Sequence, residues 1–105
     1  MKAARLTVAL SLLLLALTAA AQTPPAATLT GNPAFQKNCA KCHGKTAEGR
    51  HFAGPSLLSE KTTSSSADEL RDIITNGKHH MPKFAGKLTP EEINTLVDQI
   101  KAAKK

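Results

Sequence analysis

Apolar residues are distributed along this chain in three ways. From Leu6 to Leu17 they form a nearly continuous run, between Gly31 and Ser65 they keep no sustained period, and from Ser66 onward they twice recur at helical spacing. The first of these stretches begins with Ser66-Ala67-Asp68-Glu69, the Ser and Glu of a capping box, after which Leu70, Ile73 and Ile74 share one face. Asn76-Gly77 ends it. The second begins with Thr89-Pro90-Glu91-Glu92, a capping box with proline at the first helical position, and Ile93, Leu96, Val97 and Ile100 follow at i, i+3, i+4 and i+7. Lys101, Lys104 and Lys105 then suit the negative end of the helix dipole. A shorter helix is expected from Asn32-Pro33, an N-cap and N1 proline, toward His43. Residues 44–65, with their glycines, Pro55 and a Thr-Thr-Ser-Ser-Ser run, are expected to be irregular chain wrapped around something. No segment alternates with period two, so the predicted class is all-α with three to four short helices and no sheet.

The first apolar run changes how the composition is read. Lys2 and Arg5 precede it and Ala19-Ala20-Ala21 follow it, which marks residues 1–21 as a secretory signal peptide cleaved after Ala21. About a dozen residues fall short of the ~20 that span a bilayer, so a retained membrane anchor is the minor alternative and no stable membrane insertion is expected after cleavage. No cysteine follows the cleavage site, which argues against a lipid anchor. Residues 22–30, uncharged and with two prolines, are predicted to be a flexible tail, leaving 31–105 as one domain. The whole chain is 41% apolar, but beyond the leader the share falls to about 32%, with three Phe and no Trp or Tyr. So small and thin a core supplies only ~3–5 kcal/mol, and an added disulfide, metal, cofactor or partner is expected. A chain of 105 residues also excludes multi-domain architectures. The charge of +6 drops to +4 with Lys2 and Arg5 removed, too small and dispersed for nucleic acid and suited to steering toward an acidic protein surface.

The chemistry concentrates in Cys39-Ala40-Lys41-Cys42-His43, which contains both cysteines of the chain. On a helical turn, i, i+3 and i+4 share a face. Two thiols so placed can add across the two vinyl groups of one haem while the adjacent imidazole reaches the iron. The rival readings are a short-loop disulfide, a thioredoxin-like redox pair, which wants a βαβ context absent from this pattern, and a zinc site, which needs further ligands. A haem with one histidine needs a sixth ligand or keeps an open position. Met81, the sole methionine beyond the leader, stands before Pro82 in a loop between two helices and is the candidate thioether ligand; the competing role is a core gap-filler. His79 and His80 precede it directly and offer bis-His ligation as a rival.

These residues resemble the class I cytochromes c, small single-haem electron carriers, over Gly31 to about Ile100. Beyond Cys39, Cys42, His43 and Met81, the likeness takes in Gly31-x-x-x-Phe35 before the first cysteine and Gly54-Pro55-Ser56-Leu57 after the histidine. It implies the cytochrome c fold wrapped around one covalently attached haem c. It also implies that Gly31 and Phe35 cross over Leu96, Val97 or Ile100, that the Pro55 carbonyl fixes the His43 ring, and that Leu57 lines the haem pocket. His51 stands where many members keep a structural histidine. The segment from Asn76 to Gly86 resembles the compact bacterial members most. Two departures stand out: no Trp or Tyr is present to receive the haem propionates, for which Arg50, Ser56 and the Ser/Thr loop are candidates, and Gln99 occupies a position where relatives often carry an aromatic.

The resemblance thus implies a periplasmic, monomeric electron carrier, not an enzyme, with His43 and Met81 as axial iron ligands and redox proteins as donor and acceptor. Lys41, Lys45, Lys78, Lys83 and Lys87 flank the two ligand segments and are expected to meet acidic partners. The alternatives are a gas-binding, sensor or peroxidatic haem protein, or an electron-transfer subunit of a larger oxidoreductase.

Overall fold

Five helices follow one another through the described part of the chain: α1 (Pro33–Asn38), α2 (Ala40–His43), α3 (Glu60–Thr63), α4 (Ala67–Asn76) and α5 (Pro90–Ala102). The structure, a computed structural model, describes residues 28–103. The expected signal peptide, residues 22–27 of the expected tail, Lys104 and Lys105 lie outside the described residues. No strand occurs among the described residues, where only isolated bridges pair Arg50 with Gly54, Lys78 with Met81 and Ala85 with Leu88.

The helix starts obey their caps. Asn32 Oδ1 accepts from the Ala34 amide at 2.9 Å ahead of Pro33. Ser66 Oγ accepts from the Glu69 amide at 3.1 Å, although Glu69 does not complete the box in return. At α5 both halves form, with the Thr89 hydroxyl accepting from the Glu92 amide at 3.1 Å and the Thr89 amide donating to Glu92 Oε1 at 2.9 Å. Two elements differ from expectation. The single helix predicted toward His43 is broken at Cys39, whose φ of −114° ends α1 and starts α2. Within residues 44–65, expected to be irregular, α3 forms one turn on a Ser59 cap that accepts from the Thr62 amide. One turn is too short to leave an apolar period, so periodicity misses it.

The core gathers around α5. Phe35, Leu96 and Val97 are fully buried and form one cluster with Leu70, Ile74, Phe84, Leu88, Ile93 and Ile100. α5 packs against α4 and α3. Arg71 on α4 donates to Asn94 on α5 at 2.6 Å while pairing with Asp68, and Lys101 donates to the Ser65 carbonyl at 2.6 Å. The meeting of the first helix with the last departs from the family-based expectation: Gly31 is exposed, and the polar link is made instead by Asn32, whose side-chain amide donates to Gln99 Oε1 at 2.9 Å with both residues buried. Gln99, at a position where relatives often carry an aromatic, therefore joins the crossing through a buried hydrogen bond. The folded chain also reaches back into the segment read as tail: Leu29, the single large apolar side chain of residues 22–30, is 4% exposed in the core, and its carbonyl accepts from the Asn32 amide.

Candidate functional site

α2 is only four residues long, yet it carries Cys42 and His43 and is capped by Cys39, so the whole attachment motif sits on one short turn. The His43 and Cys42 amides both donate to the Cys39 carbonyl, at 2.9 and 3.1 Å, and Gly44 with φ 85° ends the turn. His43 is buried, and its Nδ1 lies 2.8 Å from the Pro55 carbonyl oxygen. A carbonyl can only accept, so Nδ1 carries a proton, which in the neutral ring leaves the lone pair on Nε2; Nε2 has no protein partner among the described residues. Gly54 makes this approach possible. A Cβ at that position would stand 2.7 Å from the Cys42 carbonyl oxygen and 3.1 Å from His43 Nδ1.

Cys39, Cys42 and His43 border a cleft of about 700 Å³, within the usual range for a site holding one small molecule. Its apolar floor includes Phe35, Leu70, Ile74, Phe84, Leu96 and Ile100. Pro55, Leu57 and Met81 also line it. Leu57, Ile73 and Met81 are only half-buried where they border it, a lining that fits a broad apolar ligand. Its polar lining includes the hydroxyls of Ser56, Ser59, Thr62 and Ser65, the Lys61 ammonium and the Glu69 carboxylate.

Met81 is held by a tight turn. Its amide donates to the Lys78 carbonyl at 2.9 Å, and the Lys78 amide donates back to the Met81 carbonyl at 3.2 Å. The turn is made by His79, with φ 56°, and His80, both exposed, whereas Met81 packs against the core. Gly77 (φ 79°) lets the chain enter, since a Cβ there would meet the Met81 carbonyl oxygen at 2.6 Å. His79 and His80 also border the cleft, so all three candidate ligands are close to it.

The thiols distinguish the remaining chemistries. Both cysteines are free. Burial, followed by the neighbouring Cys42, pushes the Cys39 thiol up to about 11, whereas a thioredoxin-like pair needs a thiol shifted the other way. Among the described residues no three His, Cys, Asp or Glu side chains converge to hold a bare metal ion. A buried imidazole with a free Nε2, two thiols on the same turn and a broad apolar cleft fit a covalently held haem.

The flanking residues divide. Lys41 and Lys78 border the cleft; Lys45 lines a second depression beside Lys41; Lys83 is exposed, and Lys87 Nζ lies 5.8 Å from the centre of the Phe84 ring. Arg50, a candidate for the propionates, faces away from the cleft into that second depression and donates to the Lys41 carbonyl at 2.8 Å. Lys61 was missed by sequence reasoning; the Ser59-x-x-Thr62 cap that raises it on α3 was the available signal. His51, expected to be structural, is exposed, and its ring lies against the Phe52 ring with centroids 4.1 Å apart.

No helix among the described residues is long and apolar enough to cross a membrane. The family profile of cytochrome c oxidase, cbb3-type, subunit III matches residues 26–100. The chain is 39% identical to cytochrome c6 of Anabaena variabilis over 63% of its own length and 79% of that protein's. It is 35% identical to cytochrome c6 of a Nostoc strain over 66% of its length, a match that spans 64% of the Nostoc protein. Among solved structures, KustC0563 c-type cytochrome superposes with a TM-score of 0.61 at 25% identity, covering 68% of this chain and 93% of that one. The matched span runs from the residues before Leu29 to the end of the α5 core, with the attachment motif inside it, and the chain therefore belongs to this family of small class I c-type cytochromes, electron-transport proteins with a covalently bound haem c.

Proposed function

We propose that this chain is a periplasmic single-haem electron carrier, not an enzyme, whose iron is held by His43 and Met81. The observation that carries the reading is the His43–Pro55 hydrogen bond, which occupies Nδ1 and leaves Nε2 as the ring nitrogen available to iron, in a cleft that Met81 also borders. One-electron exchange is the chemistry that the haem iron supplies when bound. Cys39 and Cys42 would hold the group through thioethers, each thiol adding its S–H across one vinyl group, an addition that needs no oxidant. Pro55 fixes the His43 ring and raises its basicity. Met81 brings a thioether, which favours the reduced iron relative to a second imidazole, and its packing against the core sets it apart from the exposed His79 and His80. Leu57 would exclude water from the group, and Ser56 and Lys61 are the candidates to receive propionates, since the Ser59 and Thr62 hydroxyls already donate within their own loop.

Two protein ligands on iron leave no site for a substrate, so the molecule passes an electron without transferring an atom or proton. Lys41 and Lys78 take part in no ion pair among the described residues and are free to steer an acidic redox protein, donor or acceptor, to the cleft. The optical spectrum of the purified oxidised protein tests the reading. A far-red sulfur-to-iron charge-transfer band, with no binding of carbon monoxide after reduction, is expected; a high-spin spectrum with ready carbon monoxide binding would make it a gas-binding or peroxidatic protein instead.

A further inference from the structure

We propose that Phe52 is the apolar contact, and Lys41, Lys45 and Arg50 the charged contacts, of a docking surface for an acidic redox protein. The proposal rests on the carrier reading and names the face that such a carrier presents.

Phe52 is 99% exposed, the large apolar side chain that the described fold leaves in solvent. Isolated exposed apolar residues are ordinary, so exposure alone would mean little. Here the backbone is strained to produce it. Phe52 has φ 62°, a left-handed conformation that glycine adopts freely and an aromatic residue does not. The loop holds that conformation through an Arg50 amide to Gly54 carbonyl bond of 3.0 Å, the return bond of 3.2 Å and an Ala53 amide to Arg50 carbonyl bond of 3.0 Å. The His51 ring meets the Phe52 ring edge-on at 60°. Strain kept at an exposed aromatic points to a use outside the fold.

The loop lies between two features of the surface. Ala53 and Gly54 border the haem cleft, while Arg50 lines a depression shared with Lys41 and Lys45. No carboxylate lines that depression, and none of the three cations has an ion-pair partner among the described residues. The Lys41 carbonyl pins the Arg50 guanidinium at 2.8 Å, so part of the charge is pre-organised. A partner that fits must place carboxylates over the depression and an apolar recess over Phe52. A second copy of this chain would bring three like cations against their equivalents, which disfavours self-association. A protein acceptor, by contrast, gains from this face because it lies at the rim of the cleft.

The test follows oxidation of the reduced, haem-loaded protein by respiratory membranes of the source organism and, separately, by hexacyanoferrate(III). Phe52→Gly should lower the ratio of the membrane rate to the hexacyanoferrate rate by about tenfold or more, the factor associated with burying one aromatic ring, and Phe52→Tyr should restore it. Lys45→Gln should slow both oxidants and flatten their ionic-strength dependence. The glycine variant should melt no lower than the parent, because it relieves the left-handed strain. An unchanged rate ratio contradicts the proposal, and with a normal hexacyanoferrate rate it would leave the carrier reading standing. A lowered melting temperature in Phe52→Gly, a dimer that depends on Phe52, or Phe52-dependent binding to anionic lipid vesicles would likewise overturn it.

Discussion

The contact between His43 and Pro55 leaves room for no atom at Gly54. Because a side chain there would overlap the Cys42 carbonyl and crowd Nδ1, Gly54→Ala must push the loop outward and lengthen the 2.8 Å bond. A cost of ~1–3 kcal/mol is expected from overpacking, read as a lowered melting temperature of the holoprotein, together with a lowered midpoint potential as the imidazole loses its orienting acceptor. Met81→Ala acts on the other ligand. It should leave the haem attached, abolish the far-red band, open the sixth position to carbon monoxide and lower the potential; an unchanged spectrum would transfer the ligand role to His79 or His80. At this scale the sequence was most informative, since Cys39, Cys42, His43, Pro55, Leu57 and Met81 all border the cleft. What it concealed were residues whose role depends on how a loop turns. Arg50 and Lys61 are both cations near the motif in sequence, yet only Lys61 borders the cleft, because the Arg50–Gly54 loop points its arginine toward Lys41.

At the scale of elements, capping residues and apolar spacing were sufficient to locate α4 and α5, whose order persists over many residues. They were insufficient for α1 and α2, where a single non-helical residue, Cys39, divides one predicted helix, and for α3, held by a local Ser59 cap. The joint between the first and last helices could not be read from pattern at all: it requires Asn32 and Gln99, 67 positions apart, to meet. Gln99→Leu should leave the Asn32 amide buried without its acceptor and cost ~1–3 kcal/mol by thermal melting. Adding Asn32→Ser, which keeps a cap for α1 but withdraws the buried donor, should recover part of that loss rather than add to it. Additive losses would show that the two residues act separately. Thr89→Ala should cost ~1 kcal/mol by removing one half of the capping box of α5.

Across the whole molecule, the short helices and the limited set of large apolar side chains surround a cleft instead of filling it. The cofactor is therefore a structural part of the domain as well as its redox centre, and whatever binds only the folded state stabilises it. Cys39→Ala should lower haem retention and folding yield together, since one thioether and one anchor of the core are removed at once. The same organisation explains why composition was informative: a leader that implies export and a core too thin to stand alone both point to a covalently attached group. The central claim, that Cys39 and Cys42 hold one haem covalently, is tested most directly by the mass of the purified protein after denaturation in acid. The expected mass is that of residues 22–105 plus one haem; a mass equal to the bare polypeptide would contradict the claim.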